Sequence, residues 1–549
     1  MNAFAVLGLL FLAFDPSFGS QNWYLLLKTF LILPIDVLFI LHLAIGYFRS
    51  KSFVSFIRDF PLDIVFFLPL FTLTFGGVHP AHIIVVRQFV HYFNLYLEHS
   101  TLSNLAQSIS DRPARLIAMS FAGVILIGAF LLVLPVSISA GFKPSFLTAL
   151  FTSTSAVCVT GLNVIDPSRY FTLFGQIVVV CLIQIGGLGI MTLSAGISLL
   201  AGKRLRMSER SLMQNVLDQS DLAGLRNILI DIFRWTFIIE ATGALILAFR
   251  FHSILPCSIR RAAYLGVFHA VSSFCNAGFA LFSDNLMGFA WDPIICFTVM
   301  GLIVAGGLGF AVLGVINAWL LGSRRGPADV HVRLVILTSL CLIFIGAAFI
   351  AFLEFDAPAM QHLNAPEKLM AALFQSVTTR TAGFNTIDIG VMRTSSLFLM
   401  AILMFIGASP ASTGGGIKTT TFAVMLLALD AQMQGKNEVT VYERVIPSDV
   451  VLKSFLITAI SATLVALYTF LLTLSEDQDL IKVLFEAASA FGTVGLSANL
   501  TPSLSPLGQL LIISLMFIGR IGPLTLALSV RAPVRRGDVR YPTTRVLVG

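Results

Sequence analysis

The chain has 549 residues, of which 57% are hydrophobic and only 11% are charged, and its formal net charge is +7. A soluble globular protein carries roughly 25% charged residues, so this composition excludes soluble enzymes, coiled coils and disordered chains. Uncharged apolar runs of roughly 20 residues, the length that crosses a bilayer as a helix, predict an all-α polytopic membrane protein.

Residues 1–110 form an N-terminal block with apolar segments near 2–14, 24–48, 60–76 and 81–98. Parts of this block, including Asp36 and Arg58, resemble voltage-sensor-type helices. A voltage sensor needs several charges in the membrane, and the final segment offers only Arg87. We therefore expect a docking or scaffolding block, and a voltage-influenced potassium channel that uses it remains an alternative.

Basic residues follow many of the apolar runs, where the positive-inside rule expects them. This distribution explains the positive net charge without a nucleic-acid partner. It predicts a multi-pass protein of the inner or plasma membrane, in contact with lipid, with both termini in the cytoplasm. Arg260 and Arg261 are the exception, because this topology puts them outside.

A short pattern recurs four times: a phenylalanine, then small and hydroxyl-bearing residues, then a glycine after 10, 10, 9 and 10 positions. The four copies are Phe151–Gly161, Phe268–Gly278, Phe374–Gly383 and Phe485–Gly495. An apolar span precedes each copy, and a second apolar span with its own glycine mark follows it. Close helix packing explains the second mark well, but it does not require a half-length helix before each first glycine.

The repeat divides the rest of the chain into units. We predict pore repeats at 111–226, 227–330, 331–448 and 449–530, followed by a cytoplasmic tail at 531–549. Each repeat would contain a span, a pore loop and a second span, and the four would surround one pore in a pseudo-fourfold arrangement.

A stretch of about ten residues is too short to cross the bilayer, so each copy is predicted to be re-entrant. Glycine permits positive φ, which lets successive carbonyl groups turn toward a common axis. Four such segments would form rings of carbonyl oxygens that replace the hydration shell of K⁺. The predicted filter residues are Val159, Thr160, Gly161, Asn276, Ala277, Gly278, Thr381, Ala382, Gly383, Thr493, Val494 and Gly495.

The fourth copy, Thr493-Val494-Gly495, is similar to the Thr-Val-Gly-Tyr-Gly filter of potassium channels. Residues 111–549 resemble the Trk/Ktr/HKT superfamily of potassium transporters, and most of all the bacterial Ktr-type membrane subunit (KtrB-like). In plant relatives, serine at the first filter glycine accompanies sodium preference. Gly161 therefore implies potassium as the substrate.

The segment 407–421, which contains Gly414, Gly415, Gly416 and Lys418, interrupts the second span of the third repeat. Proline and three successive glycines break a helix, and such a break within the membrane is tolerated beside a cavity. The segment resembles the intramembrane loop that gates these proteins beneath the filter. A nucleotide-binding loop is the alternative, but Ile417 separates Gly416 from Lys418, where that motif requires direct succession.

Arg520 is a lone cation in the apolar run 510–528, and such residues face the bundle interior or water. The family carries an arginine at this position, which implies a charge barrier in the permeation path near the loop. A structural salt bridge to a carboxylate on a neighbouring helix is the alternative. Glu240, Glu486 and His269 are interpreted as structural partners that satisfy helix ends or loops.

The predicted function is potassium uptake, with sodium dependence left open, and the chain is not expected to be an enzyme because its spans lack clustered ionisable groups. A secondary carrier for another solute is the alternative, although it would show two related halves rather than four units. The resemblance implies a homodimer on a cytosolic nucleotide-binding regulatory ring (KtrA/TrkA-like). Nucleotide would bind only that partner, so no cofactor is expected on this chain.

Overall fold

The computed structural model describes residues 113–189, 225–320, 329–523 and 525. The predicted N-terminal block 1–110 and the predicted tail 531–549 lie outside these ranges. The described part is mostly helical. Its two strands, β1 and β2, form a small hairpin that is introduced below in chain order.

The first two repeats have similar helices. In the first they are α1 (Pro113–Val133), α2 (Phe146–Val157) and α3 (Leu173–Leu188). In the second they are α4 (Leu225–Ile254), α5 (Ile259–Phe274), α6 (Pro293–Leu308) and α7 (Phe310–Leu320).

The third and fourth repeats continue the series. The third contains α8 (Val330–Glu354), α9 (Ala365–Thr378), α10 (Thr394–Phe405) and α11 (Thr419–Met433). A hairpin of β1 (Val439–Val441) and β2 (Arg444–Ile446), antiparallel with Val439 opposite Ile446, follows it. The fourth contains α12 (Ser448–Ser475), α13 (Leu480–Gly492) and α14 (Pro506–Ile521).

The first helix of each repeat is long and apolar enough to cross a membrane. These four helices, α1, α4, α8 and α12, agree with the predicted first spans. Large apolar side chains such as Phe237, Phe249 and Phe352 are more than 70% exposed on them, as expected for a surface that meets lipid tails. The protein is therefore a multi-pass membrane protein.

The second span of each repeat differs from a simple crossing. Helices α3, α6 and α14 each have 16 residues and end at a glycine of positive φ, namely Gly189, Gly309 or Gly522. At 1.5 Å per residue, such a helix is roughly 24 Å long and does not span a hydrocarbon core of roughly 30 Å. In the second repeat the chain continues as α7, after a bend of 108°.

The short helices α2, α5, α9 and α13, called the pore helices below, begin at polar caps and carry the repeated phenylalanines. Phe151, Phe268, Phe374 and Phe485 are all at most 1% exposed. Each pore helix begins several residues before its phenylalanine, so the re-entrant helix is longer than the repeated pattern. The buried phenylalanines anchor four pore helices in the core that surrounds the centre of the molecule.

Candidate ion pathway

The four repeated glycines meet at one place. A methyl group built on Gly161 would lie 2.5 Å from the carbonyl oxygen of Ala277, and one built on Gly278 would lie 2.8 Å from that of Ala382. A methyl group on Gly383 would lie 2.5 Å from the carbonyl oxygen of Val494, and one on Gly495 would clash with that of Thr160.

These contacts run from the first repeat to the second, third and fourth and back to the first. The twelve predicted filter residues therefore form a closed ring, called the filter ring below. No side chain fits at the glycine positions because the neighbouring extended segment of the ring, called a filter strand below although it belongs to no β-sheet, occupies that space.

The backbone of the filter ring alternates in a regular way. All four glycines have positive φ, and so do the residues two positions earlier: Val159, Asn276, Thr381 and Thr493. Positive φ at a β-branched residue is strained, at a cost of about 1–3 kcal/mol. The sequence predicts the glycine conformation but not the second strained position. Strain repeated in every copy indicates a backbone shaped for binding rather than for stability.

A hydroxyl group four positions after each repeated phenylalanine stabilises the filter ring by a hydrogen bond to a main-chain group in the ring or directly after it. Ser155 Oγ accepts a hydrogen bond from Gly161 N at 3.0 Å, and Ser489 Oγ accepts one from Gly495 N at 3.1 Å. In the second and third repeats the hydroxyl groups donate instead. Ser272 Oγ bonds to Phe279 O at 2.8 Å and Thr378 Oγ1 to Phe384 O at 2.7 Å.

Sequence reasoning missed these four residues. The signal was present, since every copy has Ser or Thr at this position. Buried hydroxyl groups that bond to main-chain groups fix strained backbone in place.

The interrupted segment of the third repeat, residues 406–418, lies directly against the filter ring and is called the loop below. Gly415 N donates to Thr493 Oγ1 at 3.0 Å, and Gly414 packs so tightly on Thr381 that an added methyl group would clash with Thr381 Oγ1. On its other flank, Ser409 N donates to Gly307 O at 3.0 Å and Thr413 N to Gly306 O at 3.3 Å. The loop thus contacts the second, third and fourth repeats at the base of the filter ring.

Arg520 lies near the end of α14 and points at the loop. Its guanidinium donates hydrogen bonds to Thr413 O in the loop and to Gly186 O in α3. These described partners are main-chain carbonyl groups rather than a carboxylate, so they do not support the salt-bridge alternative. Arg520 connects the loop to the first and fourth repeats.

Lys418 closes the other end of the loop. Its Nζ donates to Gly414 O at 2.8 Å, and its backbone caps α11 at Thr419. Helices α10 and α11 flank this segment, where a nucleotide-binding loop would follow a strand. The contacts therefore favour a folded intramembrane loop over a phosphate cradle.

The buried ionisable groups outside the loop have structural partners. Glu486 accepts hydrogen bonds from Ser497 Oγ at 2.9 Å and from Thr501 Oγ1. His269 lies 2.7 Å from Leu265 O through Nδ1, and its Nε2 accepts from Leu281 N at 3.3 Å. Both residues hold the segments that follow a filter strand, which confirms their structural interpretation.

Glu240 differs from them because it bridges helices. It accepts a hydrogen bond from Gln184 Nε2 at 3.4 Å, and Cys275 Sγ lies 3.9 Å from its Oε1. Glu240 therefore links α4 to α3 and to Cys275, which follows the pore helix α5. Its contacts are to side chains of other helices and not to the free main-chain groups of a helix end.

A cavity of about 410 Å³, called the mouth cavity below, opens on the side of the filter ring opposite the loop. The four filter glycines line its floor, and Asp166, Asp284 and Asp388 line its walls. Partial burial acts to raise the pKa of Asp166, but hydrogen bonds from Ser168 and Ser283 and the charge of Arg169 outweigh it. The pKa of Asp166 therefore lies below its ordinary value, and this carboxylate is charged at neutral pH.

Comparison with known proteins agrees with this geometry. Residues 93–535 match the model of the TrkH family, described as cation transport protein. The chain belongs to the TrkH family. A family member with 40% identity is Ktr system potassium uptake protein B of Bacillus subtilis, aligned over 80% of this chain and 97% of the relative. The protein of the same name from Vibrio alginolyticus is 41% identical over 79% of this chain and 94% of its own length.

A solved TrkH-family structure has the same fold. The crystal structure of the potassium transporter TrkH from Vibrio parahaemolyticus superposes with a TM-score of 0.59. The superposition covers 97% of this chain and 99% of the other chain, at 16% sequence identity. At this level of sequence identity, the superposition is evidence for the fold alone. The TrkH fold is therefore preserved although most of the side chains differ.

Proposed function

We propose that this chain takes up potassium ions across the cell membrane through the filter ring, and that the loop gates the pathway. The observation that carries the proposal is the closed ring of four strands, each with positive φ at the glycine and two positions before it. Rings of main-chain carbonyl oxygens replace the hydration shell of a monovalent cation. The potassium uptake named for the two Ktr relatives supports K⁺ as that cation.

The filter ligands in this proposal are the carbonyl groups of Val159–Gly161, Asn276–Gly278, Thr381–Gly383 and Thr493–Gly495. Main-chain carbonyl groups suit this role, because the hydration shell that they replace consists of oxygen atoms. Main-chain ligation also explains why the residues before the glycines differ between repeats, whereas the glycines do not.

The gate consists of Gly414, Gly415, Gly416, Lys418 and Arg520. Its support is the position of the loop, which closes the base of the filter ring by contacts to Thr381 and Thr493. Arg520 adds a positive charge on the path that an ion would take below the ring. An ion can pass only when the loop moves away from the filter, so loop contacts oppose conduction.

Assembly and orientation belong to the same proposal. We place the mouth cavity outside the cell, and its carboxylates would concentrate cations there. Both termini would be cytoplasmic, and a homodimer would sit on a nucleotide-binding regulatory ring, as the resemblance of the sequence implies. We keep the repeat boundaries at 111–226, 227–330, 331–448 and 449–530 as part of the proposal. Their support is that a long helix begins within two residues of each predicted start, at Pro113, Leu225, Val330 and Ser448.

The test is ⁸⁶Rb⁺ uptake into proteoliposomes that contain the full chain, with Na⁺, Li⁺ and choline as competitors and with or without added Na⁺. We expect Rb⁺ uptake that K⁺ blocks strongly and Na⁺ blocks weakly. Acceleration by Na⁺ would add sodium dependence. Uptake that no monovalent cation inhibits, or transport of an organic solute instead, would overturn the proposal.

A further inference from the structure

We infer that Arg380 is a positioning residue that couples the filter ring to the loop, an inference that rests on the function proposed above. Arg380 directly precedes the filter residues Thr381–Gly383 in the chain. Its Nη2 donates a hydrogen bond at 3.1 Å to the carbonyl oxygen of Gly407, the second residue of the loop. One side chain therefore joins the base of a filter strand to the hinge of the gate.

The environment of Arg380 is unusual for an arginine. Its side chain is only 7% exposed, and neither its Nε nor its Nη1 has a hydrogen-bond partner among the described residues. It lines a cavity of about 20 Å³ with Ser339 and Gly307, which has room for a single water molecule. No described carboxylate pairs with it.

A buried charge without a counter-charge costs stability and is retained where its position is useful. A cation beside the third filter strand also repels the ion that the filter would bind. Methionine or leucine would fill the same space without the cost in stability of burying a charge. The bond to Gly407 supplies a reason for arginine, because it spans from the filter strand to the loop.

The path of the loop shows how this bond transmits a movement from the loop to the filter ring. The chain leaves α10 at Ile406, pairs Gly407 N with Ile417 O at 2.8 Å, and then passes under the filter ring. Gly407 therefore lies at the root of the loop, whereas Gly414 and Gly415 lie at its tip against Thr381 and Thr493. When the tip moves, the root transmits the displacement through Arg380 to the third strand.

Coupling of this kind is reciprocal, so loop position and ion preference should depend on each other. The experiment is a double-mutant cycle of Arg380→Met and Arg520→Ala, with the ratio of Rb⁺ to Na⁺ flux measured in proteoliposomes. We expect Arg520→Ala, which loosens the loop, to change this ratio when Arg380 is present and to leave it unchanged in the Arg380→Met background. The departure from independent effects should be about threefold or more.

Arg380→Lys supplies a second measurement if Arg380→Met reduces expression. Lysine keeps the charge but lacks the planar fork of donors, so the ratio should lie between those of the wild type and Arg380→Met. Arg250→Met is the matched control. It removes an arginine that bonds to the buried Asp292 at 2.8 Å in the second repeat, so it should lower thermal stability without changing the ratio.

Independent effects of the two substitutions on the flux ratio would overturn the inference, and so would a wild-type ratio in Arg380→Met. Either result would leave the proposed uptake function intact, since the wild type would still carry Rb⁺ selectively. Failure of the wild type itself to carry Rb⁺ would reject the proposed function instead. The two failures are therefore distinguishable in one data set.

Discussion

The third repeat differs from the other three in the element that follows its filter strand. In the first, second and fourth repeats a 16-residue inner helix packs on its own pore helix. A methyl group on Gly186, Gly306 or Gly519 would clash with the carbonyl oxygen of Val157, Phe274 or Phe491 respectively. In the third repeat the inner helix has 12 residues, and a methyl group on Gly407 would clash with Gly415 O of the loop instead.

The proposed function assigns two tasks to the four repeats, namely ion selection by the filter ring and gating by the loop. The filter ring needs four nearly equal contributions, and the repeats supply them. The proposed gate requires one element that can move without disrupting the ring, and the divergent third repeat is the candidate for that element. The same substitution type should therefore act differently in the symmetric ring and in the asymmetric loop.

The largest effect is expected in the ring. Gly383→Ala places a methyl group 2.5 Å from Val494 O at a residue with φ of 77°, which alanine adopts poorly. We expect ⁸⁶Rb⁺ flux to fall by at least about tenfold, which corresponds to about 1.4 kcal/mol. A carrier whose site lies elsewhere would tolerate this change.

Gly123→Ala is the control for Gly383→Ala. Gly123 lies in α1, and apart from the neighbouring residues of its own helix no atom lies within 4 Å of the position that its added methyl group would take. Its flux should match that of the wild type. Both variants are compared after size-exclusion chromatography, and a correctly folded Gly383→Ala with normal flux would contradict the filter assignment.

The next effect has the opposite sign and concerns the loop. Arg520→Ala removes the hydrogen bonds to Thr413 O and Gly186 O, which hold the loop against the ring. Bonds from a charged donor contribute about 1.5–3 kcal/mol each, part of which is lost to rearrangement, so we expect Rb⁺ flux to rise roughly tenfold. Deletion of residues 414–416 should also raise it.

Arg520→Lys separates charge from bonding in the same assay. Lysine keeps the cation but offers a point charge in place of the fork, so its flux should lie between those of the wild type and Arg520→Ala. Unchanged or reduced flux in Arg520→Ala, at normal expression, would count against a gate at this position.

The symmetric part of this site could be predicted from the sequence, and the asymmetric part only in outline. The four glycines are visible because the same spacing occurs four times, and the structure brings Gly161, Gly278, Gly383 and Gly495 together. The loop was visible as a helix that proline and glycine cannot continue. The contacts of the loop to Thr381 and Thr493 could not be predicted from the sequence, because they join positions far apart in the chain.

Two kinds of residue escaped prediction for different reasons. Ser155 and its equivalents recur at a fixed offset, so closer attention to the repeat would have found them. Arg380 occurs in one copy only, and its partner is a main-chain oxygen 27 residues away, which leaves no trace in the sequence. Contacts to main-chain atoms do not restrict the identity of the partner, and sequence patterns therefore do not reveal them.

A smaller effect is expected where loop and ring touch. Thr493→Val removes the acceptor for Gly415 N at 3.0 Å and keeps the shape of the side chain. A net loss of about 1 kcal/mol predicts a rise in Rb⁺ flux of roughly fivefold or less.

Thr160→Val is its matched control in the first repeat, where Oγ1 is buried and has no partner among the described residues. Because no hydrogen bond is lost there, its flux should stay at the wild-type level. Equal increases in Thr160→Val and Thr493→Val would show that the loop contact is not what limits flux.

The smallest effect is expected at the mouth cavity. Since the pKa of Asp166 lies below its ordinary value, the group stays charged between about pH 5 and 8, and its titration should not change flux in that range. Asp166→Asn removes one charge that attracts cations, so Rb⁺ uptake should fall about twofold at low ionic strength. The loss should disappear when choline chloride shortens the screening length to about 3 Å near 1 M. Asp449→Asn, at an exposed pair with Lys453 far along the chain, should show no such salt-dependent loss, and a loss at Asp166 that persists in high salt would indicate a structural role for that carboxylate instead.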